Sequence, residues 1–366
     1  MRDDLYVAVK PIADVVYEPS QFLAEMFDMD LDYVIYFSAI LFSFIACLIL
    51  GQIDSIPVRK SWSTLAGLCL GFYVYGLIFT FNLILILGNY LIMAFVNSRT
   101  LTMKLMIGYS AMLVLMAQIY HFKIKEMMHG FDIDLVFQIN FCKFHMLAIN
   151  YRNAEKLKNP KTRDELSKRE QYYAGTLNDK VSFADFTNYM LFCGSAWTGM
   201  SHEYRDFDDF INQKGLYSNI PKSKLWWPAL DRLSHTLFCT VCLLVMTPYV
   251  KYEHLLTEEW ATSPLPYRFG YIIAAVHIKA AVMFVGMSAM EANFIACGQG
   301  YTPAKKDADN QIIEPENFNS IRNVSIWAIE TQKNWNKAVA GWNTSVHTWL
   351  KYYVMIPLMD RNVPRG

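Results

Sequence analysis

The chain has 366 residues with 33 basic and 33 acidic side chains; 54% of it is apolar and only 18% charged. Intrinsic disorder is excluded by so much apolar material to bury, the charge content lies below the ~25% usual in soluble domains, and zero net charge removes the electrostatic case for nucleic-acid binding. What remains is an integral membrane protein, and its apolar spans lead us to expect an all-α, multi-pass membrane helix bundle. Seven cysteines scattered through apolar stretches do not resemble a disulfide framework. No cleavable signal peptide is expected, because the first apolar run follows an acidic segment.

Residues 1–32 are read as a non-membrane segment ending in Asp28, Asp30 and Asp32. Tyr33 to Ile53 is free of charge and long enough for one crossing. Ser61 to Ser98 is charge-free for 38 residues, about 57 Å as one helix. It is therefore expected to break, at Asn82 or at Gly88-Asn89. Further spans are expected at Leu105 to Tyr120, Ile133 to Asn150, Phe186 to His202, Leu233 to Val250, Phe269 to Met290 and Ala338 to Met359, giving eight or nine segments. Asp134, Lys143 and His145 require the second of these to face protein or water. Arg152 to Lys180 holds eight basic and five acidic residues, so 151–183 is expected to be a cytoplasmic loop and the N-terminus to lie on the other side.

In the segment WNTSVHTWLKYYV, a helix would place Asn343, His347 and Leu350 on one face, with Trp342 and Trp349 on an adjacent face. Either Asn343 and His347 are an inward-facing functional pair, or they hydrogen-bond to neighbouring helices. Asn343-Thr344-Ser345 and Asn323-Val324-Ser325 match the glycosylation pattern, although modification of Asn343 beside an apolar run is not expected. His235, Cys239 and Cys242 also share a helix face, but a metal site needs further ligands and a polar surround. No metal is expected there. His202-Glu203-Tyr204-Arg205-Asp206 has the character of an interfacial cap. No soluble-hydrolase motif is present.

Three longer stretches resemble the membrane-bound O-acyltransferases, in particular their lysophospholipid branch. Asn317 to Val354 carries NVSIWAIE, the Trp342-Asn343 pair and the WLKYYV tail. Ser182 to Ile211 resembles the family stretch that ends in an EY.DF pattern, with Gly199-Met200 where the family has Gly-Pro. Arg268 to Tyr301 resembles the following helix with its Glu and its Gly-rich end. The resemblance treats residues 1–366 as one membrane domain.

It implies acyl transfer from acyl-coenzyme A, a co-substrate rather than a cofactor, to the free hydroxyl of a lysophospholipid, in the endoplasmic-reticulum membrane. Asn343 matches the family's catalytic asparagine. Trp342, His347, Trp349, Glu203 and Tyr204 are then candidates for substrate binding. The family's general-base histidine stands in a Trp-His-Gly motif on a later helix. None of the eight histidines has that context, His129 before Gly130 included. That base is expected beyond Gly366, which makes this form C-terminally incomplete or inactive. Acylation of a protein or peptide by the same family is an alternative, since nothing internal excludes it. A transporter, suggested by Lys143, Lys279 and His277 inside spans, would be expected to show inverted repeats, and none is visible.

Overall fold

A computed structural model describes residues 18–26, 31–124, 133–307 and 311–362. Most of the expected N-terminal segment, and His129, lie outside the described residues. The chain divides into two compact units, 1–219 with 348–366, and 220–347. Among the described residues five helices are long and apolar enough to cross a membrane: Leu31–Gln52, Ile56–Phe95, Arg99–Ile119, Lys222–Met246 and Leu265–Cys297.

In the first unit, α1 (Leu31–Gln52) and α2 (Ile56–Tyr75) pack together across a short polar turn. Pro57 stands in the first turn of α2, where a missing N–H costs nothing. The buried Arg59 donates from Nη1 to the carbonyls of Leu50 (2.8 Å) and Ile53 (3.0 Å). It thereby satisfies acceptors that the end of α1 leaves open. The long apolar stretch breaks at Gly76, φ +56°, into a single 3-10 turn before α3 (Phe79–Phe95). That left-handed conformation favours glycine. The break therefore does not fall at Asn82 or Gly88-Asn89. Both asparagines are buried packing residues: Asn140 donates to Asn82 at 2.7 Å, and Ser110 to Asn89 at 3.1 Å.

The next helix, α4 (Arg99–Ile124), packs along α5 (Asp134–Lys156). As its charged residues require, α5 is largely enclosed by protein, and Lys143 is fully buried. After the short α6 (Lys168–Ala174) comes α7, which covers only Phe183–Met190. Residues 191–203 are not helical, so the expected span at Phe186 to His202 is replaced by a short helix and a buried irregular segment. Gly194, Ser195, Thr198, Gly199 and Ser201 are poor helix formers, and backbone freed in this way needs partners. Lys143 Nζ supplies one, bonding the Tyr189 carbonyl and Ser195 Oγ at 3.2 Å each. Tyr75 Oη donates to the Trp197 carbonyl. The unit continues in α8 (Tyr204–Ile211).

In the second unit, α9 (Trp226–Met246) lies along α10 (Leu265–Cys297). Thr236 and Ser288 hydroxyls meet at 2.9 Å between them. Leu237, Phe238, Val241, Leu244 and Val245 form one exposed apolar face of α9, as suits a lipid contact. The 33 residues of α10 extend about 50 Å. Its last turns, from Phe284 onward, are almost wholly buried, and Gly298, φ +94°, ends it. A two-stranded antiparallel hairpin, Lys305–Lys306 with Ile312–Glu314, precedes α11 (Ile326–Thr331) and α12 (Trp335–Ala340). The expected helix at Ala338 to Met359 is interrupted at 341–343 and resumes as α13 (Thr344–Trp349), a π-helical turn (Leu350–Met355) and α14 (Ile356–Asn362).

Candidate active site

Asn343 does not share a helix face with His347 and Leu350. It sits in the break ahead of α13 with φ +44°, a left-handed conformation that asparagine tolerates better than most residues. Its carbonyl accepts from His347 N (3.0 Å), and its Oδ1 accepts from Val346 N (3.4 Å) and Ser345 Oγ (3.2 Å). A backbone N–H can only donate, so the side-chain oxygen is turned to the helix start. Among the described residues, nothing accepts from the Asn343 Nδ2. The half-buried Asn343 thus presents an amide donor whose oxygen is engaged in capping. His347 lies one turn on and is exposed.

Trp342 packs edge-on against Phe284, with ring centroids 5.3 Å apart. Phe284 lines an apolar groove of 580 Å³ together with Cys239, Cys242, Ile273, Ala281 and Ile326. His277 and Glu330, 3.3 Å apart, are the polar members of its wall. Cys239 and Cys242 are therefore apolar lining of this groove. Asn323 of the other glycosylation match is only 2% exposed and is hydrogen-bonded through its side chain to Ser345 N, which leaves no room for a glycan.

Glu203, Tyr204 and Trp349 belong to the first unit. Glu203 is 5% exposed. Its Oε1 accepts from Tyr353 Oη (2.7 Å) and Arg169 Nη2 (2.9 Å), its Oε2 from Asn150 Nδ2 (3.0 Å). The Arg169 guanidinium also lies over the rings of Tyr173 and Tyr352. Burial pushes the Glu203 carboxyl up to about 7, against the pull of Tyr353, Arg169 and Asn150. Nearby Asp206 accepts from Tyr173 Oη (3.3 Å) and is pushed up to about 6, again chiefly by burial. Tyr204 packs edge-on against Tyr189 in the core. Trp349 Nε1 donates to His145 Nδ1 (3.1 Å). The π-helical turn presents Tyr353 to the same helix, α5, and π turns recur at functional sites.

A model of the membrane-bound O-acyltransferase family matches residues 69–363. The chain belongs to the membrane-bound O-acyltransferase family. It is 23% identical over 233 residues to the lysophospholipid acyltransferase of Saccharomyces cerevisiae, covering 53% of this chain and 36% of that protein. With lysophospholipid acyltransferase 1 of Arabidopsis thaliana it shares 24% identity over 204 residues, 54% of this chain and 43% of the relative. With human lysophospholipid acyltransferase 5 the figures are 22% over 297 residues, 80% and 56%. The chain thus spans about half the length of the curated relatives it matches.

In this member of the membrane-bound O-acyltransferase family, nothing in the sequence pairs Asn150, Arg169 and Tyr353 with Glu203. They come from three distant segments, and although Tyr353 stands in the WLKYYV tail, no motif ties any of them to Glu203. Arg152 to Lys180 gave a signal of charge alone, which does not single out Arg169. A better signal was the run of polar residues on the otherwise apolar α5, where an intramembrane or enclosed polar group needs a partner.

Proposed function

We propose that the protein transfers an acyl group from acyl-coenzyme A to the free hydroxyl of a lysophospholipid; its similarity to lysophospholipid acyltransferases supports the acceptor class. The observation that carries this reading is Asn343: an amide with its oxygen fixed by the start of α13 and its nitrogen without an acceptor among the described residues. During attack of the hydroxyl, the thioester carbonyl oxygen gains negative charge. A pre-oriented N–H donor there is worth about 10²–10³-fold in rate. The hydroxyl must also lose its proton to a general base, a role worth about 10²–10⁴-fold. His347 is not assigned that role, because it does not match the family's catalytic position. The acyl chain would lie along the apolar groove beside Phe284 and Trp342. The anionic coenzyme would favour the basic cytoplasmic side of an endoplasmic-reticulum membrane.

The test uses the whole protein purified in detergent, given acyl-coenzyme A and a panel of lysophospholipids, with release of free coenzyme thiol as the readout. Asn343→Gly removes the amide yet keeps a residue suited to φ +44°. Turnover is expected to fall by about 10²–10³-fold with the unfolding temperature little changed. Wild-type turnover by Asn343→Gly would overturn the role of the amide. Absence of transfer to every lysophospholipid, with transfer to a peptide hydroxyl, would overturn the substrate class.

A further inference from the structure

Glu291 is 1% exposed in the buried end of α10. A carboxylate so placed is costly unless its oxygens are fully engaged. One oxygen receives Arg232 Nη1 at 2.6 Å. The other accepts from two consecutive backbone groups, Asn323 N and Val324 N, both at 2.6 Å. Arg232 reaches the same loop through Asn319 Oδ1 at 3.4 Å.

Asn323 then passes this anchorage on. Its carbonyl accepts from Thr344 N (2.8 Å), and its Oδ1 accepts from Ser345 N (3.0 Å). The neighbours of Asn323 act alike: the Arg322 carbonyl accepts from Thr344 Oγ1, and Ser325 N donates to the Gly341 carbonyl (2.9 Å). Residues on both sides of Asn343 are thereby fastened to 322–325, and 322–325 is fastened to the helix pair by one carboxylate. A non-glycine residue persists in the left-handed region where its surroundings over-determine it.

We infer that Glu291 and Asn323 are positioning residues for Asn343. Glu291 holds the backbone of Asn323, and Asn323 holds the turn that aims the Asn343 amide. The inference rests on the reading of Asn343 as the amide donor of acyl transfer.

Two readouts on the whole protein in detergent test it. The first is hydrogen exchange at Val346 N, which donates to Asn343 Oδ1 and reports its placement directly. The second is the division of any activity loss between kcat and KM. Glu291→Ala and Asn323→Ala are each expected to speed exchange at Val346 by about tenfold. They are also expected to lower kcat by about 10²-fold with KM little changed. Glu291→Gln keeps an oxygen for both backbone donors and is expected to recover part of kcat. Should Glu291→Ala fail to fold, Asn323→Ala, which removes one acceptor only, carries the test.

Unchanged exchange at Val346 in Asn323→Ala overturns the inference. So does faster exchange with unchanged kcat, if Asn343→Gly is inactive. If exchange quickens while both Asn323→Ala and Asn343→Gly keep full turnover, the anchorage stands and the amide-donor reading of Asn343 falls.

Discussion

Glu203 illustrates how a single charged residue is governed by its surroundings. Its oxygens are taken by Tyr353, Arg169 and Asn150, yet burial dominates and lifts its carboxyl to about 7. An unfolded glutamate titrates near ~4.3. Between these values the folded protein binds the proton more readily than the unfolded chain, so the Glu203 contribution to stability falls as pH rises from ~4.3 through about 7 and is flat above. Wild type is therefore expected to lose unfolding temperature relative to Glu203→Gln between pH 5 and pH 8. A difference between the two proteins that does not change with pH would contradict this assignment. Asn343 works on the same scale by the opposite route: an uncharged side chain is given direction by a backbone conformation few residues adopt. Replacing it by alanine combines loss of the amide with a strain of about 1–2 kcal/mol, which is why glycine is the cleaner substitution.

At the scale of elements, the buried irregular segment 191–203 depends on close approach by α2. A Cβ on Gly67 would overlap the Leu191 carbonyl oxygen, and Ala196 Cβ would be 3.1 Å away. The first obstacle is backbone, so no side-chain rotation relieves it. Gly67→Ala is expected to destabilise the protein by about 1–3 kcal/mol, read as a drop in unfolding temperature in detergent. An unchanged unfolding temperature would show that α2 and 191–203 can separate without cost. The break at Gly76 and the interruption at 341–343 have a common logic. Each interrupts helix through a residue with positive φ, Gly76 at +56° and Asn343 at +44°. In the second case the interruption turns an expected continuous helix into a cap with a side-chain amide at its tip.

On the scale of the whole molecule, five helices among the described residues are long and apolar enough to span a bilayer. The protein is expected to stay in the membrane pellet after an alkaline carbonate wash, and release into the supernatant would contradict the spans. The all-α class and the apolar helices were legible in the sequence, because bilayer thickness imposes length and hydropathy on each span separately; the family was legible only through the motif stretches that resemble it. Enclosure of α5 was legible for a related reason: Asp134, Lys143 and His145 cannot face lipid. Helix breaks were not, since hydropathy is blind to local φ. Phe186 to His202 is apolar enough to be read as a span, yet its glycines and hydroxyl residues yield a buried irregular chain held by Lys143 and Tyr75. Likewise, the motifs singled out Asn343 and Glu203 but could not supply their partners. Arg169 and Tyr353 meet Glu203, and Glu291 and Asn323 secure the turn of Asn343, across 34, 150, 52 and 20 residues of chain respectively. Local pattern determined which segments are apolar and which residue types carry chemistry. Only tertiary structure decided where helices stop and which distant donors satisfy a buried acceptor, because those choices depend on packing that no single segment contains.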